Sequence, residues 1–130
     1  MILDTSFLID LMDHQPNAVK KFWELQQRKE TLFVTTPTIF ELWSGIAYSS
    51  KPEEEKRKVT AVLESQLILD LDKSCAEEAG KIDGMLVKQG ATIEPEDCMI
   101  AGIAQHHDEP ILTRNVKHFS RIKSVRLERY

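Results

Sequence analysis

The sequence predicts an α/β fold in which helices cover both faces of a mostly parallel sheet. Short runs rich in apolar and β-branched residues alternate with longer segments whose apolar residues recur at helical spacing. Strands joined by helices in this way run in the same direction, because each helix carries the chain back across the sheet. A length of 130 residues fits one domain, residues 1–130, which is large enough to bury a core without disulfides.

The N-terminal half begins with an apolar run that predicts a buried strand over Met1–Asp4. Phe7, Leu8 and Leu11 follow Asp4 at the spacing of one helix face, so a helix starts at once and Asp4 is placed to cap it. The next elements are predicted by two signals: prolines at positions that suit the first turn of a helix, and a run of β-branched residues that suits a strand. These are a helix from Pro16, a strand over Leu32–Thr35, a helix from Pro37 and a helix from Ser50 to about Ser65.

The C-terminal half repeats the alternation of strands and helices. Gly90 is a good left-handed terminator for a helix over Ser74–Gln89, and Pro95 suits the first turn of the next helix. That second helix has an apolar face formed by Met99, Ile100, Ile103 and Ala104. The predicted strands of this half are Leu67–Leu71, Pro110–Thr113 and a weak last one at Val125–Leu127.

Composition excludes several classes of protein. Hydrophobic residues make up 42% and charged residues 29%, which are ordinary values for a soluble globular protein. No apolar run approaches the roughly 20 residues that cross a bilayer, and no secretory leader is visible. The only cysteines, Cys75 and Cys98, lack metal-binding spacing and are expected to be reduced, buried thiols. We therefore expect a cytoplasmic protein that does not contact membranes.

Charge is distributed unevenly along the chain. The net charge is −4, yet residues 113–130 contain six Lys and Arg residues against Glu128 alone. An acidic body with a basic C-terminal segment can hold cations in one place and phosphates in another. The basic residues expected to contact phosphates are Arg114, Lys117 and Arg121, the last two on one face if a turn of helix joins them. The alternative is a basic segment that is merely solvated or paired with acids of the body.

Acidic side chains fall where α/β proteins place their chemistry, beyond the carboxyl ends of strands. Asp4 ends the first strand, Glu41 lies early in the helix after the second, and Asp97 lies in the first turn of the Pro95 helix near Glu94. Asn115 follows the fourth strand. Such oxygens in one cleft would suit Mg²⁺ or Mn²⁺. Each residue alone also has an ordinary explanation, as a helix cap, a first-turn acid, a surface acid or a turn residue.

Four short segments, taken in order and spacing, resemble the motifs of the PIN-domain family and most closely its VapC branch, the ribonuclease toxins of prokaryotic toxin–antitoxin pairs. The segments are Ile2–Ser6, Thr38–Leu42, Glu96–Ala101 and Leu112–Asn115. The resemblance covers essentially the whole chain. It implies a three-layer α/β/α fold, metal-dependent hydrolysis of RNA by an activated water that leaves a 5′-phosphate, and an antitoxin that blocks the cleft. Homodimers are also common among such relatives.

The resemblance assigns roles to individual residues. Asp4, Glu41 and Asp97 would be the catalytic acids and metal ligands, and Asn115 would be a weaker ligand at a position where many relatives carry Asp. Residues expected near the cleft are Thr5, Ser6, Thr113 and, more weakly, Glu94.

Two other functions remain open. A PIN-fold binding module without strong catalysis is favoured by Asn115 and disfavoured by the three acids. A small phosphotransfer domain could use Asp4 as its acceptor, but Ser6 stands where a second acid is expected.

Aromatic and histidine side chains are assigned to structural roles. Core packing is expected for Phe22, Trp23, Phe40 and Trp43, with a groove for an antitoxin helix as the alternative. The histidines (His14, His106, His107 and His118) show no zinc-binding spacing, and structural or surface positions are expected for them.

Overall fold

The computed structural model describes residues 1–130 and contains five strands and seven helices. The strands are β1 (Ile2–Leu3), β2 (Phe33–Thr35), β3 (Leu67–Leu69), β4 (Ile111–Leu112) and β5 (Leu127–Glu128). The helices are α1 (Thr5–Met12), α2 (Pro16–Gln27), α3 (Thr36–Tyr48), α4 (Pro52–Leu63), α5 (Lys73–Lys88), α6 (Pro95–His107) and α7 (Val116–Phe119). All predicted strands and long helices are present, and α7 is an additional short helix.

The sheet has the strand order β3-β2-β1-β4-β5, and every neighbouring pair is parallel. Strand β1 is central, with Ile2 paired to Phe33 on one side and to Ile111 on the other. The carboxyl ends of β1, β2 and β4 therefore meet at one edge of the sheet. The residues that follow these strands are brought together there.

Successive side chains of each strand point to opposite faces of the sheet, so an apolar core forms on each face and the structure has the predicted three layers. Leu3, Val34 and Leu112 point to the face covered by α1, α2, α3 and α4. Ile2 and Ile111 point to the opposite face, which is covered by α5, α6 and α7. The α/β/α prediction is confirmed, and the sheet is parallel throughout.

Helices α5 and α6 approach each other unusually closely at Gly102. A Cβ atom built on Gly102 would lie 2.7 Å from both the backbone nitrogen of Ala79 and the carbonyl oxygen of Cys75. Both obstructing atoms belong to the backbone of α5, so only a residue without a side chain fits between the helices. This contact fixes the spacing of the two helices.

Two local predictions are wrong. Asp4 occupies the N-cap position of α1, but its side chain makes no capping hydrogen bond because two hydroxyl groups elsewhere engage it. Three of the four aromatic side chains assigned to the core are exposed: Trp23 by 62%, Phe40 by 62% and Trp43 by 46%. Only Phe22 packs against the core. No helix combines the length and apolar character needed to span a membrane.

Candidate active site

Asp4 is held in place by the sheet and by two hydroxyl groups. Its backbone N–H donates to the carbonyl oxygen of Leu112 at 3.0 Å, and the residue is only 2% exposed. The hydroxyls of Ser6 (2.8 Å) and Thr113 (2.7 Å) both donate to the same carboxylate oxygen, Oδ2. These bonds orient the carboxylate and leave Oδ1 without a hydrogen-bond donor. That oxygen is the one available to a ligand.

Glu41 is positioned by a similar arrangement on the neighbouring strand. Helix α3 begins directly after β2 and places the half-buried Glu41 beside α1, where the Thr5 hydroxyl donates to its Oε1 at 2.8 Å. Thr5 Oγ1 also lies 3.0 Å from the buried hydroxyl of Thr38. The Thr5 hydroxyl thus lies between the carboxylate of Glu41 and the hydroxyl of Thr38. The second carboxylate is therefore oriented by one hydroxyl group, whereas the first is oriented by two.

Asp97 completes the set of buried acids and receives no hydrogen bond from the protein. It lies in the first turn of α6 and is 7% exposed, and its nearest basic atom is Nδ1 of His118 at 3.8 Å from Oδ2. Burial, followed by the negative charges of Asp4, Glu41 and Glu94, raises the pKa of Asp97 to about 7. This carboxylate is poised to bind either a proton or a cation.

The acids repel one another across a narrow space. The pKa of Glu41 is also raised, first by burial and then by the charges of Asp4, Glu96 and Glu94, while the hydrogen bond from Thr5 opposes the shift. Carboxylates that raise one another's pKa are stabilised by a divalent cation placed between them. An all-oxygen donor set of this kind fits Mg²⁺ or Mn²⁺ and lacks the sulfur or nitrogen donors that favour softer metals.

The structure brings together most of the residues predicted to form the site. Three acids, three hydroxyl residues and Glu94 converge: Asp4, Glu41, Asp97, Thr5, Ser6, Thr113 and Glu94. Asn115 joins through its backbone N–H, which donates to Thr113 Oγ1 at 2.8 Å. Its side chain is exposed, and its role as a weaker ligand stays a prediction.

The predicted phosphate-binding residues have different surroundings. Arg114 is ion-paired through Nη1 with Asp10 at 2.5 Å, and its backbone N–H donates to Ser6 Oγ at 3.1 Å. Lys117 is exposed on α7. Because α7 ends at Phe119, Arg121 does not share a helix face with Lys117, and its Nη1 donates to the carbonyl oxygen of Thr92 at 2.9 Å. Contact of these residues with RNA stays a prediction.

Sequence reasoning missed the buried carboxylate of Asp10. One of its oxygens pairs with Arg114, and the other accepts a hydrogen bond from the Tyr130 hydroxyl at 2.5 Å. The Tyr130 ring packs edge-on against Phe7, with ring centroids 4.9 Å apart. Asp10 thereby anchors Arg114 at the margin of the acidic cluster. No sequence signal links these residues, because Arg114 and Tyr130 lie 104 and 120 positions from Asp10.

Comparisons with known proteins show the family and the fold to which this chain is similar. Residues 1–125 match the family model described as the PIN domain. The chain is 31% identical over 127 residues to a "tRNA(fMet)-specific endonuclease VapC" of Shigella flexneri, covering 98% of this chain and 95% of that relative.

Two solved structures are similar over 98% of this chain and 96% of theirs, each with a TM-score of 0.88. One is VapBC2 from Rickettsia felis bound to a DNA fragment of its promoter, with 26% identity. The other is DNA-bound VapBC from Salmonella typhimurium, with 27% identity.

Proposed function

The chain belongs to the VapC branch of the PIN-domain family, the ribonuclease toxins of toxin–antitoxin pairs, and we propose that it cleaves RNA internally with Mg²⁺ or Mn²⁺ as cofactor. The observation that carries the proposal is the convergence of Asp4, Glu41 and Asp97 from three separate elements. Two of these carboxylates are oriented by hydroxyl groups, and the third receives no hydrogen bond.

The metal would be held by the oxygens of Asp4, Glu41 and Asp97, with Asn115 as a weaker ligand. When bound, it would lower the pKa of a water molecule and stabilise the negative charge that develops on the phosphoryl oxygen. The free Oδ1 of Asp4 and the mutual repulsion of the acids support this assignment.

The chain's own residues would orient the ligands and the attacking water. Ser6 and Thr113 fix the carboxylate of Asp4, and Thr5 fixes that of Glu41. Asp97, whose pKa is about 7 in the metal-free protein, would lose its proton when the cation binds, and Asp97 or Glu41 would then orient the attacking water. Attack by water at the phosphorus would leave a 5′-phosphate and a 3′-hydroxyl.

Three surfaces would serve the partners of this reaction. Arg114, Lys117 and Arg121 would contact RNA phosphates beside an acidic cleft that repels them. An antitoxin would block the cleft, and a homodimer would use exposed aromatic residues such as Trp43. An RNA substrate would locate this activity in the cytoplasm.

The direct test is cleavage of RNA by the purified protein, with tRNA(fMet) as the first substrate because the Shigella flexneri relative is named for it. We expect cleavage with Mn²⁺ or Mg²⁺, none with EDTA, and a loss of more than about 100-fold for Asp4→Asn, since even residues behind metal ligands contribute 10–100-fold. The matched control is Asp13→Asn, which makes the same change at an exposed site at the end of the helix that Asp4 precedes. Full activity of pure Asp4→Asn would overturn the assignment.

A binding module with little catalysis is the second candidate, favoured by the exposed amide of Asn115 in place of an acid. It predicts that the wild-type chain binds RNA but does not cleave it at any metal concentration. Phosphotransfer to Asp4 has no such support, because the carboxylate is 2% exposed and one oxygen is already occupied by Ser6 and Thr113.

A further inference from the structure

A second group of metal-binding atoms lies away from the acidic cleft, where the start of α5 meets the end of α6. Asp72, Cys75 and His106 each offer one such atom, and these atoms all lie within 4.8 Å of one another. Asp72 caps α5 by accepting the backbone N–H of Cys75 on Oδ1 at 2.9 Å, so Oδ2 is free. A thiol, an imidazole and a carboxylate therefore share one small volume.

Glu78 lies beside His106 and carries a carboxylate oxygen that no protein group satisfies. Its Oε1 lies 3.5 Å from Nδ1 of His106, while its Oε2 is buried without any hydrogen-bond partner. A buried carboxylate oxygen without a partner is costly, and few such atoms persist in folded proteins unless something satisfies them. The negative charge of Glu78 also reaches Cys75, three residues earlier on the same helix, and helps to raise its pKa.

The two helices that carry these residues are locked together. At Gly102 the backbones approach so closely that a Cβ atom would lie 2.7 Å from the carbonyl oxygen of Cys75 itself. His106 lies one helical turn after Gly102, on the same helix. The four side chains are thus attached to a rigid base, which reduces the entropy lost when they gather around an ion.

We propose that Asp72, Cys75 and His106 form a second metal site, suited to Zn²⁺, that ties α5 to α6, with Glu78 beside His106 as the fourth ligand after its side chain rotates. One sulfur, one nitrogen and one oxygen already lie together, and an oxygen of Glu78 would complete a tetrahedral donor set for Zn²⁺, whereas the all-oxygen cluster around Asp4 favours harder ions. The ligands come from two helices, with Glu78 and His106 separated by 28 positions, which explains why sequence spacing gave no zinc pattern.

Metal binding requires the ligand atoms to move slightly closer together and the Cys75 thiol to lose its proton. Tetrahedral zinc ligands lie about 3.3–3.8 Å apart, so the widest separations must shorten by about 1 Å, which rotations of the exposed Asp72 and His106 side chains can supply. Burial raises the pKa of the Cys75 thiol to about 11, so the metal-free protein holds it protonated. On binding, the sulfur–hydrogen bond breaks, the sulfur keeps the electron pair for the metal, and the proton passes to solvent.

The test is titration of the reduced, full-length protein with Co²⁺, which substitutes for Zn²⁺ and gives a near-ultraviolet charge-transfer band only when a thiolate binds it. We expect the band at one equivalent, its removal by Zn²⁺, its loss in Cys75→Ser, and at least a 10-fold weaker affinity in His106→Ala. Cys98→Ser and His107→Ala are matched controls that change the other buried cysteine and the adjacent histidine. Asp4→Asn should keep the band, because carboxylates around Asp4 offer no thiolate.

Three results would overturn the proposal: no band in the wild-type protein, a band that survives Cys75→Ser, or a band that disappears in Cys98→Ser. His106 is exposed, so His106→Ala is expected to fold and keeps the proposal testable if Cys75→Ser does not. In that variant Zn²⁺ should raise the melting temperature less than it does in the wild type, since only the acidic cluster still binds it. A rise of equal size in both proteins would also contradict the site.

Discussion

Replacing Asp97 with Asn is expected to stabilise the metal-free protein while it removes RNA cleavage. In the folded state the pKa of Asp97 is about 7, whereas the ordinary value is 3.8. Between these values the folded state binds more protons than the unfolded state, so the free energy of unfolding falls as the pH rises from about 4 to 7. Above pH 7 Asp97 is ionised in both states, and its full destabilising effect on the folded protein is present. Asn has a similar shape and no charge, and the substitution removes no hydrogen bond because Asp97 accepts none.

The size of the effect follows from the pKa difference. A shift of about 3 units corresponds to an upper bound of about 4 kcal/mol. Solvent at the mouth of the cleft screens the charges and reduces the gain to about 1–2 kcal/mol. For a chain of this length each kcal/mol moves the melting temperature by about 4 °C. Asp97→Asn should therefore melt about 4–8 °C above the wild type at pH 8 and at nearly the same temperature at pH 4.

The assay is thermal unfolding of both proteins in EDTA between pH 4 and pH 8, with Asp13→Asn as the control for an exposed carboxylate. Mn²⁺ should reduce the difference in melting temperature between Asp97→Asn and the wild type at pH 8, because it stabilises the wild type more than the variant. Some pH dependence should persist in Asp97→Asn, since the pKa of Glu41 is also raised. A wild-type protein that is more stable at pH 8 than at pH 5, or a variant destabilised at both, would refute this reasoning.

Further expected outcomes concern the fourth ligand, the basic segment and the close approach of two helices. Asn115→Asp should lower the Mn²⁺ concentration at half-maximal cleavage, and an unchanged titration would show that Asn115 is no ligand. Arg114→Ala combined with Lys117→Ala should weaken the salt dependence of RNA binding, measured by fluorescence anisotropy. The slope of log affinity against log salt concentration should fall by roughly 0.7 for each phosphate that is no longer bound. A slope equal to that of the wild type would mean that these side chains are only solvated and do not contact RNA. Gly102→Ala should cost about 1–3 kcal/mol in urea unfolding because backbone atoms obstruct the added methyl group. Gly84→Ala, which has open space on α5, should be neutral or stabilising by up to about 1 kcal/mol.

The sequence was sufficient for the fold because it depends on local patterns, whereas the acidic cluster was identified with the help of the family resemblance. Parallel strands joined by helices must present their carboxyl ends at one edge, so the acids after β1 and early in α3 converge there, but α6 follows α5 rather than a strand and only the resemblance assigned Asp97 to the site. Periodicity could not decide which apolar stripes face the core. Trp23, Phe40 and Trp43 have helical spacing, yet they project into solvent, because periodicity shows only that a helix face is apolar and not which face packs against the sheet.

Pairings between distant residues explain what the sequence did not reveal. The pattern around Asp4 predicts a cap for α1, but the hydroxyl of Thr113, 109 positions later, holds its carboxylate instead. Asp10 carries no signal because its partners lie more than 100 positions away. Sequence spacing gives Cys75 and His106 separate structural roles, and only the crossing of α5 and α6 places their ligand atoms together.

The central position of β1 determines when during synthesis the enzyme becomes complete. Ile2 leaves the ribosome long before its strand partner Ile111 is made. Contacts between such distant segments form late, because the chain must close a very long loop before they contribute stability. Thr113 cannot orient Asp4 until β4 has emerged. The acidic cluster therefore acquires its full set of orienting hydroxyl groups only late in the synthesis of the chain.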